Sequence, residues 1–144
     1  MTALGGGLFV ADTSAFARSA HPDARDEWAE ALRDGRILIC PPVELELLYA
    51  ARDLATVEQT ARALASLRRV PLTDGCARSA SAAMRELALH GSAGFHRVPP
   101  IDCLVAACAQ AAGAGVLHYD RDYERLAEVM GFDSRWILPA GSVD

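Results

Sequence analysis

Leu8-Phe9-Val10-Ala11-Asp12-Thr13-Ser14 is the stretch on which the fold turns. Its apolar half stands behind Gly5-Gly6-Gly7 and runs straight into an acid and two hydroxyl residues. A short apolar run reads as a buried strand, and Asp-Thr-Ser directly after it reads as the capped start of a helix. A strand that feeds a helix is half of a βαβ unit, so the rest of the chain is read for its repetition.

The repetition is there. A helix is expected from about Pro22 to Leu32, closed by Asp34-Gly35, before the apolar triplet Ile37-Leu38-Ile39. Pro41-Pro42 opens a helix to about Arg52, at the position where proline costs least. Further helices are expected over Val57 to Leu67, Cys76 to His90, Ile101 to Ala112 behind Pro99-Pro100, and Asp120 to Met130. Strand-like segments fall at Val70-Pro71-Leu72, Val116 to Tyr119 and Trp136-Ile137-Leu138, with a glycine-containing loop at Gly91 to Arg97. Short apolar runs alternating with long helices specify an α/β fold with a parallel sheet covered on both faces. Ligands of such sheets bind beyond the carboxyl ends of the strands, so the residues after each apolar run are the ones to inspect.

Composition narrows the chemistry. A chain of 144 residues, 51% of them hydrophobic, is expected to form one domain spanning 1–144. All 14 basic residues are Arg, against 19 acids and a net charge of -5. Without Lys, a P-loop phosphate site and Schiff-base chemistry are excluded. The acidic balance also disfavours a polybasic membrane or DNA-binding surface. Cys40, Cys76, Cys103 and Cys108 form no C-x-x-C pair, so buried thiols are expected rather than a zinc site. Met1 to Gly7 carries no basic residue before its apolar stretch, and no segment reaches the roughly 18 apolar residues of a membrane span. A cytoplasmic protein is expected.

The strand ends deliver acids. Asp12 follows the first strand, Asp120 and Asp122 follow Val116 to Tyr119, and Asp102 lies in the first turn of the helix behind Pro99-Pro100. Each taken singly reads as a helix cap or as a complement to the positive helix end. Jointly they read differently, because gathered carboxylates raise one another's pKa unless a cation neutralises them. Glu44 and Glu46 sit in the otherwise apolar segment Val43 to Ala51, and periodicity leaves open which of them faces this rim. The other is expected in solvent or paired with an Arg such as Arg52. An oxygen-only cluster suits Mg²⁺ or Mn²⁺, which would activate water and offset charge on a phosphate. Thr13 and Ser14 are candidates to hydrogen-bond a carboxylate, a water or a phosphate, or to cap the first helix.

Four segments together resemble the motifs of PIN-domain ribonucleases, and most of all the VapC toxins of bacterial toxin–antitoxin pairs. They are Val10-Ala11-Asp12-Thr13-Ser14-Ala15, Pro41-Pro42-Val43-Glu44-Leu45-Glu46-Leu47-Leu48-Tyr49, Pro100-Ile101-Asp102-Cys103-Leu104-Val105-Ala106-Ala107, and Leu117-His118-Tyr119-Asp120-Arg121-Asp122-Tyr123. The ending Trp136 to Ser142 is similar to the way many such toxins finish. The resemblance implies a PIN-like three-layer α/β/α fold with a central, mainly parallel sheet. It implies Asp12 and Asp102 as primary metal ligands, Asp120 as the fourth acid, Asp122 as an accessory one, and Glu46 rather than Glu44 as the helix glutamate. It further implies a homodimer, a Mg²⁺- or Mn²⁺-dependent endoribonuclease, and a small antitoxin that wraps the toxin and obstructs the acidic site, often with an Arg. Tyr123 departs from the Phe of many members, and Ala140 interrupts a tail that is often basic.

The competing expectations are a stand-alone PIN-domain RNA-processing nuclease, a non-catalytic PIN-like binding module, and a phosphotransfer domain with a nucleophilic Asp. The last normally recruits a Lys. Arg18, Arg97 and Arg121 are candidates for phosphate contacts, with a solvated surface Arg as the default for each. Aromatic residues are 6% of the chain, so no stacking platform for bases is indicated. His96 and His118 are the histidines nearest the motifs, and His118 is expected to pack or hydrogen-bond within its strand.

Overall fold

A computed structural model describes residues 4–144. The first three residues of the Met1 to Gly7 segment read above lie outside that range. The elements run β1 (Phe9–Ala11), α1 (Thr13–Phe16), α2 (Arg25–Arg33), β2 (Ile37–Ile39), α3 (Pro41–Ala50), α4 (Leu54–Ala65), β3 (Arg68–Arg69), α5 (Asp74–His90), α6 (Pro100–Ala111), β4 (Gly115–His118), α7 (Asp122–Ala127) and β5 (Ser134–Trp136).

The strands form one parallel sheet in the order β3-β2-β1-β4-β5. Val10 pairs with Leu38 on one side and with Val116 on the other. Alternation then sorts the side chains between two layers. Val10, Leu38 and Val116 join the larger core with Val43, Leu87, Val105, Tyr123 and Leu126 from α3, α5, α6 and α7. Phe9, Ala11, Ile37 and Leu117 turn the other way and meet Ala15 and Ala31 of α1 and α2. The α/β/α sandwich expected from the sequence is the fold observed.

Strand order locates the crevice. From β1 the chain builds outward through β2 to β3, then returns to the opposite side of β1 to place β4. The direction of winding reverses between β1 and β4, and such a switch point opens a cleft beyond the strand ends. Gly115 lets β4 enter this sheet: a Cβ there would stand 2.7 Å from the Asp133 carbonyl and 2.8 Å from the Phe9 ring.

The fourth strand starts and ends one residue earlier than expected, and two others differ more. The third is Arg68–Arg69, not Val70 to Leu72; it is an exposed edge strand, and the buried Val70 only closes its ladder by donating to the Ile39 carbonyl at 2.9 Å. Pro71, with no N–H, ends the pairing. The fifth is Ser134–Trp136, with Ile137 donating one last bond to the His118 carbonyl at 2.8 Å. In both cases the apolar signal marks where the strand leaves the edge. Helix α4 begins earlier than expected because Asp53 caps it through the Thr56 amide. The four cysteines are buried and free, as expected.

Candidate metal centre

Asp12 leaves β1 with its amide still in the sheet, donating to the Leu117 carbonyl at 2.9 Å. Its Oδ2 accepts from the Ser14 amide at 3.0 Å and from the Ser14 hydroxyl at 2.6 Å, which starts α1. The same hydroxyl accepts from the Tyr119 amide at 2.9 Å, tying the end of β1 to the end of β4. The cap role considered for Asp12 is therefore real, and it holds the carboxylate at the switch point.

Asp102 arrives from the opposite layer. Pro99 and Pro100 start α6, and Asp102 lies in its first turn with 8% of its surface exposed. Asp120 follows β4; its amide donates to His118 Nδ1 at 3.1 Å and its Oδ1 accepts from the Asp122 amide at 2.9 Å. Ligand oxygens of Asp102, Asp120 and Asp122 all lie within 4.8 Å of one another. Asp122 stands in this group with the other two.

Glu46 faces the same cluster, accepting from the Thr13 hydroxyl at 3.2 Å. Glu44 turns away and pairs with Arg69 of β3, not with Arg52. Two residues of helical offset decide between them. The salt bridges of Arg36, Arg69, Arg78 and Arg135 run to Asp34, Glu44, Asp74 and Asp133, outside the cluster.

The electrostatics follow. Burial pushes the Asp102 carboxyl up to about 8, and the charges of Asp12, Asp120, Asp122 and Glu46 add to it. Burial raises Asp120, with Asp122 and Asp12 contributing, and burial raises Glu46, with Asp12 contributing. The four other acids expected from the sequence therefore all bear on Asp102. Oxygen donors without a soft ligand, in a field that drives one carboxyl to hold a proton, fit a hard divalent cation.

A family model for the PIN domain matches residues 9–129, from β1 to just past α7. The chain belongs to the PIN-domain family. Within it, VapC ribonucleases match along most of the chain: it is 36% identical over 137 residues to Ribonuclease VapC18 of Mycobacterium tuberculosis, spanning 94% of this chain and 99% of that one. It is 31% identical over 136 residues to Ribonuclease VapC51 of the same species, spanning 94% and 97%. Among solved structures, VapBC-5 from Mycobacterium tuberculosis superposes with a TM-score of 0.63 at 26% identity, over 90% of this chain and 98% of that one. DNA-bound VapBC from Salmonella typhimurium superposes at 0.70 with 19% identity, over 91% and 98%, which speaks for the fold.

Other candidate residues of this PIN domain take less direct places. Thr13 and Ser14 spend their hydroxyls on Glu46 and Asp12. Arg18 stacks on Tyr119, its guanidinium 4.2 Å from the ring centre, and donates to the Ser14 carbonyl at 3.2 Å. Arg121 is exposed at the start of α7 between Asp120 and Asp122, and Arg97 is exposed in the loop before α6. His96 is half-buried in that loop. His118 is fully buried, and burial pulls it down to about 4, so its ring is neutral. With Nδ1 accepting from Asp120, the proton lies on Nε2, which donates to Ser134 Oγ at 2.7 Å. Nothing in the sequence assigns a polar role to Tyr123, yet its hydroxyl meets both Asp12 and Asp102. The partners lie in distant segments, and only the folded sheet brings them together.

Proposed function

We propose that this PIN domain is the RNA-cleaving toxin of a toxin–antitoxin pair, an endoribonuclease that hydrolyses phosphodiester bonds with Mg²⁺ or Mn²⁺. The convergence of Asp102, Asp120 and Asp122 within 4.8 Å at the β1/β4 switch point carries the reading. Relatives covering nearly the whole chain bear the name ribonuclease, and the structural neighbours are VapBC pairs. A small VapB-like antitoxin is the expected partner, RNA the substrate, and a homodimer the expected assembly. No helix among the described residues is long and apolar enough to cross a membrane, and four free thiols accord with a reducing cytoplasm.

In this reading Asp12, Asp102, Asp120 and Asp122 hold the divalent cation and Glu46 completes the acidic set. A bound cation lowers the pKa of water and offsets charge developing on the phosphate. Glu46, whose carboxyl burial and Asp12 push upward, is the group poised to take a proton at Oε2 while Oε1 accepts from Thr13. Ser14 keeps Asp12 oriented, and His118 keeps the Asp120 backbone in place. His118 is assigned no proton transfer, because both ring nitrogens are engaged. With five acids and no Lys at hand, the site repels RNA until bound divalent cation cancels part of its charge and offers the phosphate a positive centre.

The test of the biological reading uses purified protein, total RNA with Mg²⁺ or Mn²⁺, and a small partner encoded beside this chain. Cleavage suppressed by a stoichiometric complex with that partner is expected. Cleavage that the partner leaves unchanged points to the stand-alone processing nuclease, and absence of cleavage by the free protein points to the binding module.

A further inference from the structure

Tyr123 has none of its surface exposed. Its ring lies 4.9 Å from that of His118, with the planes 31° apart, and it belongs to the larger core. A phenyl ring would fill that space as well. The hydroxyl is the part that calls for a reason, since a buried phenol needs a partner.

It has two. Tyr123 Oη stands 2.7 Å from Asp12 Oδ1 and 3.4 Å from Asp102 Oδ1. A single O–H proton serves one strong acceptor, and the distances assign it to Asp12. A carboxylate offers about four lone-pair directions. On Asp12, Oδ2 uses two for the Ser14 amide and hydroxyl, and Oδ1 uses one for Tyr123. One direction of Oδ1 is left. Asp12 comes from the β1–α1 junction and Asp102 from α6, and this one phenol lies against both, donating to the first and standing 3.4 Å from the second.

We infer that Tyr123 is a positioning residue for the divalent centre: its hydroxyl orients Asp12 beside Asp102, and cation affinity depends on it. The inference rests on the divalent-cation reading proposed above. A phenol that merely satisfied itself in the core would leave cation affinity untouched. Groups that orient metal ligands change affinity by about 10- to 100-fold when removed.

The experiment is a calorimetric titration of Mn²⁺ into metal-stripped wild-type, Tyr123→Phe and Asp102→Asn proteins, with folding checked by circular dichroism. Wild type is expected to bind, Asp102→Asn to lose binding, and Tyr123→Phe to stay folded with affinity about 10- to 100-fold weaker. Equal affinity in Tyr123→Phe and wild type overturns this inference and leaves the divalent reading standing. Wild type that takes up no Mn²⁺, or Asp102→Asn that binds like wild type, removes both. A second measurement needs no change at Tyr123. The chain has 3 tyrosines, so a Tyr49→Phe/Tyr119→Phe protein grown with ring-¹³C-labelled tyrosine gives a single phenol signal in NMR, that of Tyr123. Mg²⁺ is expected to shift that signal, and an unmoved signal overturns the inference.

Discussion

Ser14 donates its hydroxyl to Asp12 at 2.6 Å, and the same oxygen receives the Tyr119 amide at 2.9 Å. One side chain thereby orients an acid and staples β1 to β4 at the point where the sheet opens. Ser14→Ala deletes both bonds and strands a backbone N–H, at a cost of about 1–3 kcal/mol. Urea unfolding of the metal-free protein checks this, and RNA cleavage should fall with it. A variant as stable as wild type would show that water replaces the hydroxyl without loss.

Glu44 and Glu46, which have different partners in the fold, are expected to separate by function. Glu46→Gln is expected to lower RNA cleavage by about 100-fold or more, as loss of a proton acceptor does. Glu44→Gln breaks only the partly exposed pair with Arg69 and should cost under about 1 kcal/mol, with cleavage intact. Steady-state cleavage rates and thermal melts of the two variants check the pair. The reverse order of effects would move the site to the other face of α3.

The metal-free protein should lose stability as pH rises from 6.5 to 8. The Asp102 carboxyl, near 3.8 when free, titrates at about 8 in the folded chain, so the fold favours its protonated form. That contribution is complete below about pH 4 and is lost as pH climbs through 8. His118 acts oppositely: falling from 6.5 to about 4 on folding, it withdraws stability only as pH drops through that window. Above pH 6.5 His118 is silent, and the Asp102 effect stands. Calorimetric Tm in the presence of a chelator should fall across this range, less so in Asp102→Asn, and Mn²⁺ should restore it most at pH 8. A Tm that rises with pH would contradict the acid field.

Gly115 is fixed by neighbours rather than by its own backbone angles. In Gly115→Ala the new methyl meets the Asp133 carbonyl at 2.7 Å and Phe9 at 2.8 Å, which must shift. A loss of about 1–3 kcal/mol is expected in denaturant unfolding. An unchanged midpoint would mean that β4 and β5 separate freely.

The fold was legible because its central strands are buried on both faces. Phe9 to Ala11, Ile37 to Ile39 and Val116 to Leu117 are apolar without interruption, and caps and prolines mark the helices between them. The edge strands were less so: Arg68 and Arg69 present exposed side chains to solvent, and no periodicity separates them from a loop. Among the acids, position after a strand found Asp12, Asp120 and Asp122, and the start of α6 found Asp102. Periodicity does not separate Glu44 from Glu46, because the choice depends on Arg69 and Thr13 in other segments, and only the family resemblance pointed to Glu46. Tyr123 was read as a departure from a pattern, and its meaning lies in bonds to residues of β1 and α6 that no local window contains.

The central claim is that the acids act by holding a divalent cation for RNA cleavage. Its most direct test is a cleavage assay on purified wild type and Asp102→Asn, titrated with Mn²⁺ from a chelated start. Cleavage that rises from nothing with Mn²⁺ in wild type and stays absent in Asp102→Asn is the predicted result. Cleavage that persists in chelator, or that Asp102→Asn matches, would contradict it.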